Sequence, residues 1–183
     1  FLYLMPNLKV LPQQTTQTIH TIHANTAFTW ACIPNSTIQI FREEEWFKVL
    51  IHETFHTLGL DFSTMDISVC RRKIHEWFSL KTEGLLFETY CETWATLLNA
   101  TFVAYFATIP RTPQKFSAMV AKIENMLYVE TKYAVLQSTK VLRRHNSLTY
   151  KDLIARTSHT AIQRAQYREE TNIMCYYVIK AVT

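Results

Sequence analysis

His52 and His56 stand four residues apart in the run Ile51-His52-Glu53-Thr54-Phe55-His56-Thr57-Leu58-Gly59, with Glu53 between them. On an α-helix, residues four apart project from one face, so the two imidazoles can share a single metal ion. Glu53 is offset around the helix. It is close enough to take a proton from a metal-activated water without filling a ligand position. The chemistry this spacing supports is metal-assisted hydrolysis, with His52 and His56 as ligands and Glu53 as general base. A short motif recurs by chance, so the remainder of the chain must supply a third ligand.

The elements that position these residues are legible from periodicity. Trp46, Phe47, Leu50, Ile51, Phe55 and Leu58 surround the motif, which predicts a buried helix opened by Glu43-Glu44-Glu45 and ended by Gly59. A second long apolar stretch runs from Gly84 through Glu88-Thr89-Tyr90-Cys91-Glu92-Thr93-Trp94-Ala95 to Phe106. It is apolar nearly all round and is also expected to be a buried helix. No Lys or Arg occurs between Thr82 and Pro110, so Glu88 and Glu92 lie one turn apart with no local cation. Buried carboxylates require neutralisation from another segment, and a metal on the His52/His56 helix would supply it.

Around these helices the chain reads as follows. Residues 1–12 form a strand ending at Pro12. Gln13 to Asn25 is a polar loop or an irregular edge, in which His20 and His23 are candidate ligands that read more simply as ordinary loop residues. Ala27–Ile33 and Thr37–Phe41 make a hairpin across Pro34-Asn35-Ser36. Ile67 to Leu80 is an amphipathic helix with Ile67, Cys70, Ile74, Trp77 and Phe78 on one face and His75 at its boundary. Pro113 opens a further helical pattern, with Phe116, Val120, Ile123 and Leu127 facing the core, that continues irregularly to Leu142. Arg143 to Asn146 is a loop, Ser147 to Ala155 a short element, and Tyr167 to Ala181 a final helix.

The composition narrows the function classes. The 183 residues suffice for one domain with a sizeable core, and 48% hydrophobic content excludes a disordered chain. The net charge of +4 is scattered, so no nucleic-acid interface is indicated. Cys32, Cys70, Cys91 and Cys175 form no Cys-x-x-Cys pair, which argues against a cysteine metal ribbon. Glu88, Glu92 and Asn99 interrupt the apolar run, which speaks against a membrane span. Both ends, Phe1-Leu2-Tyr3 and Tyr177-Val178-Ile179, read as cut from a longer polypeptide.

Glu88 lies 32 residues after His56. Taken together, the motif and this later acidic helix resemble the gluzincin-type zinc metallopeptidases over about residues 27 to 106. The alternative metzincin pattern fails, because its third ligand position is Phe62 and Asp61 is one residue out of register. In gluzincins the later helix carries a Glu ligand, a small residue three on and a polar residue four on, which Glu88, Cys91 and Glu92 match. The resemblance therefore implies Glu88 as ligand and Glu92 as the group orienting a ligand imidazole. A competing Glu-x-x-Ala pattern, Glu92 to Ala95, would make Glu92 the ligand. The wording of residues 44–56, 88–95 and Thr171-Asn172-Ile173 is in turn similar to metallopeptidases of large nucleocytoplasmic DNA viruses. These resemblances imply one α+β, zincin-like domain: a small N-terminal antiparallel sheet packed on the His-bearing helix, then a mainly helical remainder. They imply Zn²⁺ as cofactor, a peptide or protein substrate, and Tyr176, Tyr177, His145 or His159 as the oxyanion donor. The alternative is a structural or interaction protein on the same fold, a virion or capsid component with capsid proteins as partners, located in the virion or the host cytoplasm.

Overall fold

The computed structural model describes residues 1–5, 10, 13, 18–78, 83–145, 151–154, 167 and 169–182. Strand β1 (Leu2–Leu4) precedes a helical turn α1 (Thr21–Ala24), strands β2 (Ala27–Thr29) and β3 (Ile38–Ile40), and helices α2 (Trp46–Thr57) and α3 (Ser68–Phe78). Helices α4 (Leu86–Thr108) and α5 (Pro113–Arg144) follow, then the short α6 (Lys151–Ile154) and a π-helical turn, Met174–Ile179. The architecture is α+β: one three-stranded sheet and a helical remainder.

The sheet order is β1-β3-β2. β2 and β3 form the expected hairpin, Ala27 opposite Ile40 and Thr29 opposite Ile38. The sheet is mixed rather than antiparallel, because β1 pairs parallel to β3, with Leu2 opposite Ile38 and Leu4 opposite Ile40. The connection of residues 30–37 is too short for a crossover, so β2 and β3 run oppositely, whereas the long connection after β1 leaves its direction free. Ile40 carries the inward face and is fully buried. Both β2 and β3 pack on α2.

Helix α2 begins at Trp46 instead of Glu43. Glu45 has φ +59° and interrupts helical geometry upstream, so the three carboxylates precede the first turn. Glu45 still approaches Lys48, at 3.2 Å. Gly59 follows the last helical turn at φ +63° and fits closely against Cys32 Sγ, as a terminating glycine should. The burial of α2 differs from expectation, its polar row lying deepest and Phe47, Leu50, Ile51 and Phe55 only half-buried. Its buried residues are Lys48, His52, Glu53 and His56, while Trp46 is 40% and Leu58 64% exposed.

The partner that makes this burial affordable is α4. Thr89, Cys91, Ala95, Thr96, Ala100 and Ala104 form its buried stripe, and these small side chains let α2 and α5 lie close on either side. The C-terminal half of α4 is less enclosed than its apolarity predicts, since Phe102, Val103, Tyr105 and Phe106 are exposed. Likewise α5 is one continuous helix, capped by Thr112 and including Arg143 and Arg144; Phe116 and Val120 are exposed and its buried residues start at Ala134. In α3, Ile74 and Phe78 are buried while Cys70 and Trp77 face outward. The polar segment before Asn25 holds α1, where His23 is buried.

The C-terminal stretch is a π-helical turn preceded by a bridge residue, Glu169, and bends at 170–172, not a helix from Tyr167. Met174, Cys175, Val178 and Ile179 bury themselves with Ile19, Ile74, Phe78, Val141 and Leu142 in the main hydrophobic cluster. Buried Glu169 accepts from the Met174 N–H and from the Tyr167 hydroxyl, fixing the entry to the turn. The expected strand continuation to Pro12, the end of the second helix at Leu80, Asn146, and the element from Ser147 lie wholly or partly outside the described residues. None of the described helices is long and apolar enough to cross a membrane.

Candidate metal centre

Residues spaced by four on separate elements meet in the interior between α2, α4 and the C-terminal turn. Helix α2 presents Lys48, His52 and His56, α4 presents Glu88, Glu92 and Thr96, and the C-terminal segment presents Asn172, Tyr176 and Lys180. Residues four apart on a helix share a face, so one contact between two such rows brings the others into register.

At the centre, three donor atoms converge. His52 Nε2 and His56 Nε2 are 3.1 Å apart, and Glu88 Oε2 lies 3.3 Å from the first and 3.4 Å from the second. A tetrahedral site with metal–ligand bonds of about 2.0–2.1 Å has edges of about 3.3 Å, so this triangle fits one face of such a site. The donor set of two imidazole nitrogens and one carboxylate oxygen suits a divalent first-row metal. Its members are buried or nearly so.

Each ligand candidate is held from behind. Glu88 Oε1 accepts from Asn172 Nδ2 at 3.2 Å, and Tyr176 Oη donates to Oε2 at 3.2 Å. His52 Nδ1 lies 3.3 Å from Glu92 Oε2. Glu92 in turn accepts from Lys48 Nζ at 2.9 Å and Lys180 Nζ at 3.1 Å, both on Oε1. His56 Nδ1 is 2.5 Å from Asp61 Oδ2, and Asp61 is itself fixed by the N–H and hydroxyl of Ser63. A carboxylate on the far ring nitrogen leaves Nε2 of each imidazole as the free lone pair. Cys91, fully buried, lies 3.9 Å from His56 Nδ1 and with Asp61 makes a second group around that nitrogen. The short His56–Asp61 bond occupies this group.

Electrostatics follow from burial and pairing. Burial lowers the affinity of His52 for a proton, but its contacts with Glu88 and Glu92 outweigh this and raise its pKa to about 9. His56 rises to about 11, burial again being outweighed, here by Cys91 and Glu88. Burial pushes Glu88 up, yet the two imidazoles bring it down to about 2. Glu92 is likewise held below the usual carboxylate range by His52 and the two lysines, against burial. Glu53 behaves oppositely: burial raises its pKa, partly offset by His52 and His56. Glu53 lines a cavity of about 80 Å³ with His52, Glu92, Tyr176, Tyr177 and Asn25. At ~30 Å³ per water, two or three waters fit there.

Of the residues singled out by sequence, His52, His56, Glu88, Glu92 and Glu53 are gathered here. Among the oxyanion candidates, Tyr176 contacts Glu88 and its ring packs edge-on against His52 at 5.9 Å. Tyr177 lines the same cavity. His145 is remote, stacked on Tyr167 and bonded to the Val141 carbonyl; His159 lies outside the described residues. Sequence reasoning missed the roles of Lys48, Lys180, Asn172 and Asp61. The spacing of four in 48/52/56 and 172/176/180 was the available signal for the first three. Asp61, one residue out of register as a ligand, has no sequence signature for its place behind His56. No protein-family model, curated protein or solved structure matches the chain.

Proposed function

We propose that this chain is a zincin-like, zinc-dependent peptidase. The observation that supports the reading most is the convergence of His52 Nε2, His56 Nε2 and Glu88 Oε2 within 3.1–3.4 Å, beside the buried Glu53. A divalent metal in that set supplies Lewis acidity toward a carbonyl oxygen and toward water. The chain's own residues do the remaining work. Glu53, raised by burial and facing a water-sized cavity, accepts the proton of the attacking water and returns it to the leaving amine. Glu92 and Asp61 orient the two imidazoles, and Asn172 holds the outer oxygen of Glu88. Tyr176, with its hydroxyl at the inner oxygen of Glu88, is the proposed donor to the developing oxyanion.

One observation favours a second reading, a structural protein on the same scaffold with virion proteins as partners. The two imidazoles, Glu88 and Glu92 also satisfy one another as an ion-pair cluster. A purely structural cluster gives no reason for the buried carboxyl of Glu53 next to a cavity. The test is hydrolysis of a fluorogenic peptide library by the zinc-loaded chain and by Glu53→Gln. Cleavage by the first and not by the second supports the peptidase. Absence of cleavage by either, with stoichiometric zinc in both, favours the structural reading.

A further inference from the structure

Two carboxylates one turn apart on α4 have the same chemistry and both touch His52, yet their surroundings differ. Glu88 is bonded by neutral groups, the Asn172 amide and the Tyr176 hydroxyl, and turns Oε2 toward both imidazole Nε2 atoms. Glu92 is bonded by ammonium groups. Lys48 and Lys180 converge on its Oε1, and its Oε2 faces His52 Nδ1, so neither oxygen is turned to the ligand triangle. The two lysines come from different elements and are nearly buried, at 11% and 14% side-chain exposure. Lys180 is steadied further by Thr96 Oγ1 at 2.7 Å, and Lys48 by Glu45 at 3.2 Å. A carboxylate that shares its charge with two ammonium groups is a weak donor to a dication, and the ammonium groups repel the dication itself.

We propose that Lys48 and Lys180 are positioning residues that select Glu88 over Glu92 as the carboxylate of the metal set. This rests on the reading of His52, His56 and Glu88 as a metal site. The lysines hold Glu92 behind His52, where it fixes the ring, and keep it from competing for the ion. A role limited to neutralising a buried acid predicts lower stability on their removal and an unchanged ligand set. Selection predicts that the ligand set itself changes.

The test is titration of Co²⁺ into chelator-stripped full chain, read by visible d–d absorption and by affinity against a competing chelator. Glu88→Ala is expected to weaken binding by about 100-fold or more, since Glu92 stays with its lysines. Adding Lys48→Met and Lys180→Met to Glu88→Ala is expected to recover about tenfold or more of that loss, with a d–d spectrum altered from the wild type. Adding Glu92→Ala should then abolish the recovery. Helical circular dichroism verifies the fold; if the triple variant does not fold, Glu88→Ala/Lys180→Gln serves the same comparison. Absence of recovery in a folded variant overturns the selection while leaving the metal site standing. Failure of the wild-type chain to bind Co²⁺ overturns the metal reading and the selection with it.

Discussion

Burial raises the Glu53 carboxyl above its ordinary value, and a general base works only while ionised. Activity of the loaded chain is therefore expected to fall on the acid side as Glu53 takes up a proton, at a pH set by the upward push of burial against the downward pull of the dication beside it. Glu53→Gln should lower kcat by about 10²–10⁴-fold with metal content unchanged. The residues behind the imidazoles act differently. Asp61→Asn or Glu92→Gln should weaken metal affinity by about 10–100-fold, measured by chelator competition, because the ring orientation and tautomer are no longer fixed. At this scale the sequence was most informative. His52, Glu53 and His56 announce themselves by spacing, and Glu88 and Glu92 by the absence of any cation between Thr82 and Pro110. The neutralising groups for Glu92, Lys48 and Lys180, lie 44 and 88 residues away, and only their spacing of four from His52 and Tyr176 points to them.

The elements differ in how well their sequence described them. Helix α2 is delimited by Gly59, whose φ is +63° and where a β-carbon would come within 3.0 Å of Cys32 Sγ. Gly59→Ala should cost about 1–2 kcal/mol from the left-handed backbone alone, measured by chemical denaturation. The exposed halves of α4 and α5 were misjudged because apolar content does not reveal which face finds a partner. The π-helical turn was unreadable as such: the run from Met174 to Ile179 is apolar without a helical stripe, and its geometry is imposed by the cluster it enters. That turn carries Tyr176, and it is flanked by Asn172 and Lys180. Met174→Ala, in a fully buried position, should cost about 2–5 kcal/mol and weaken metal affinity in parallel, since the turn packs behind Glu88 and Glu92.

For the molecule as a whole, the cluster couples folding to pH and, on the proposed reading, to metal. In the metal-free chain His52 and His56 bind protons more tightly folded than unfolded, and Glu88 and Glu92 less tightly, so their ion pairs stabilise the fold fully between about pH 4.5 and 6.5 and weaken as the two carboxylates protonate below that. That contribution is lost as pH rises through about 9 for His52 and about 11 for His56. Zinc binds the neutral imidazoles, so loading at neutral pH should release protons, and thermal unfolding of the loaded chain should lack this alkaline decline. Scans with and without chelator check the difference. The α+β class was legible from the order of strand-like and helical runs, whereas the parallel pairing of β1 with β3 was not, because a long connection permits either direction.

The central claim is that His52, His56 and Glu88 hold one metal ion. Elemental analysis of the full chain purified without chelator tests it most directly, on wild type, Glu53→Gln and Glu88→Ala. About one zinc per chain in the first two and a clear loss in the third is the predicted result. Metal-free wild type, still unloaded after incubation with zinc, or equal zinc in all three, would contradict it.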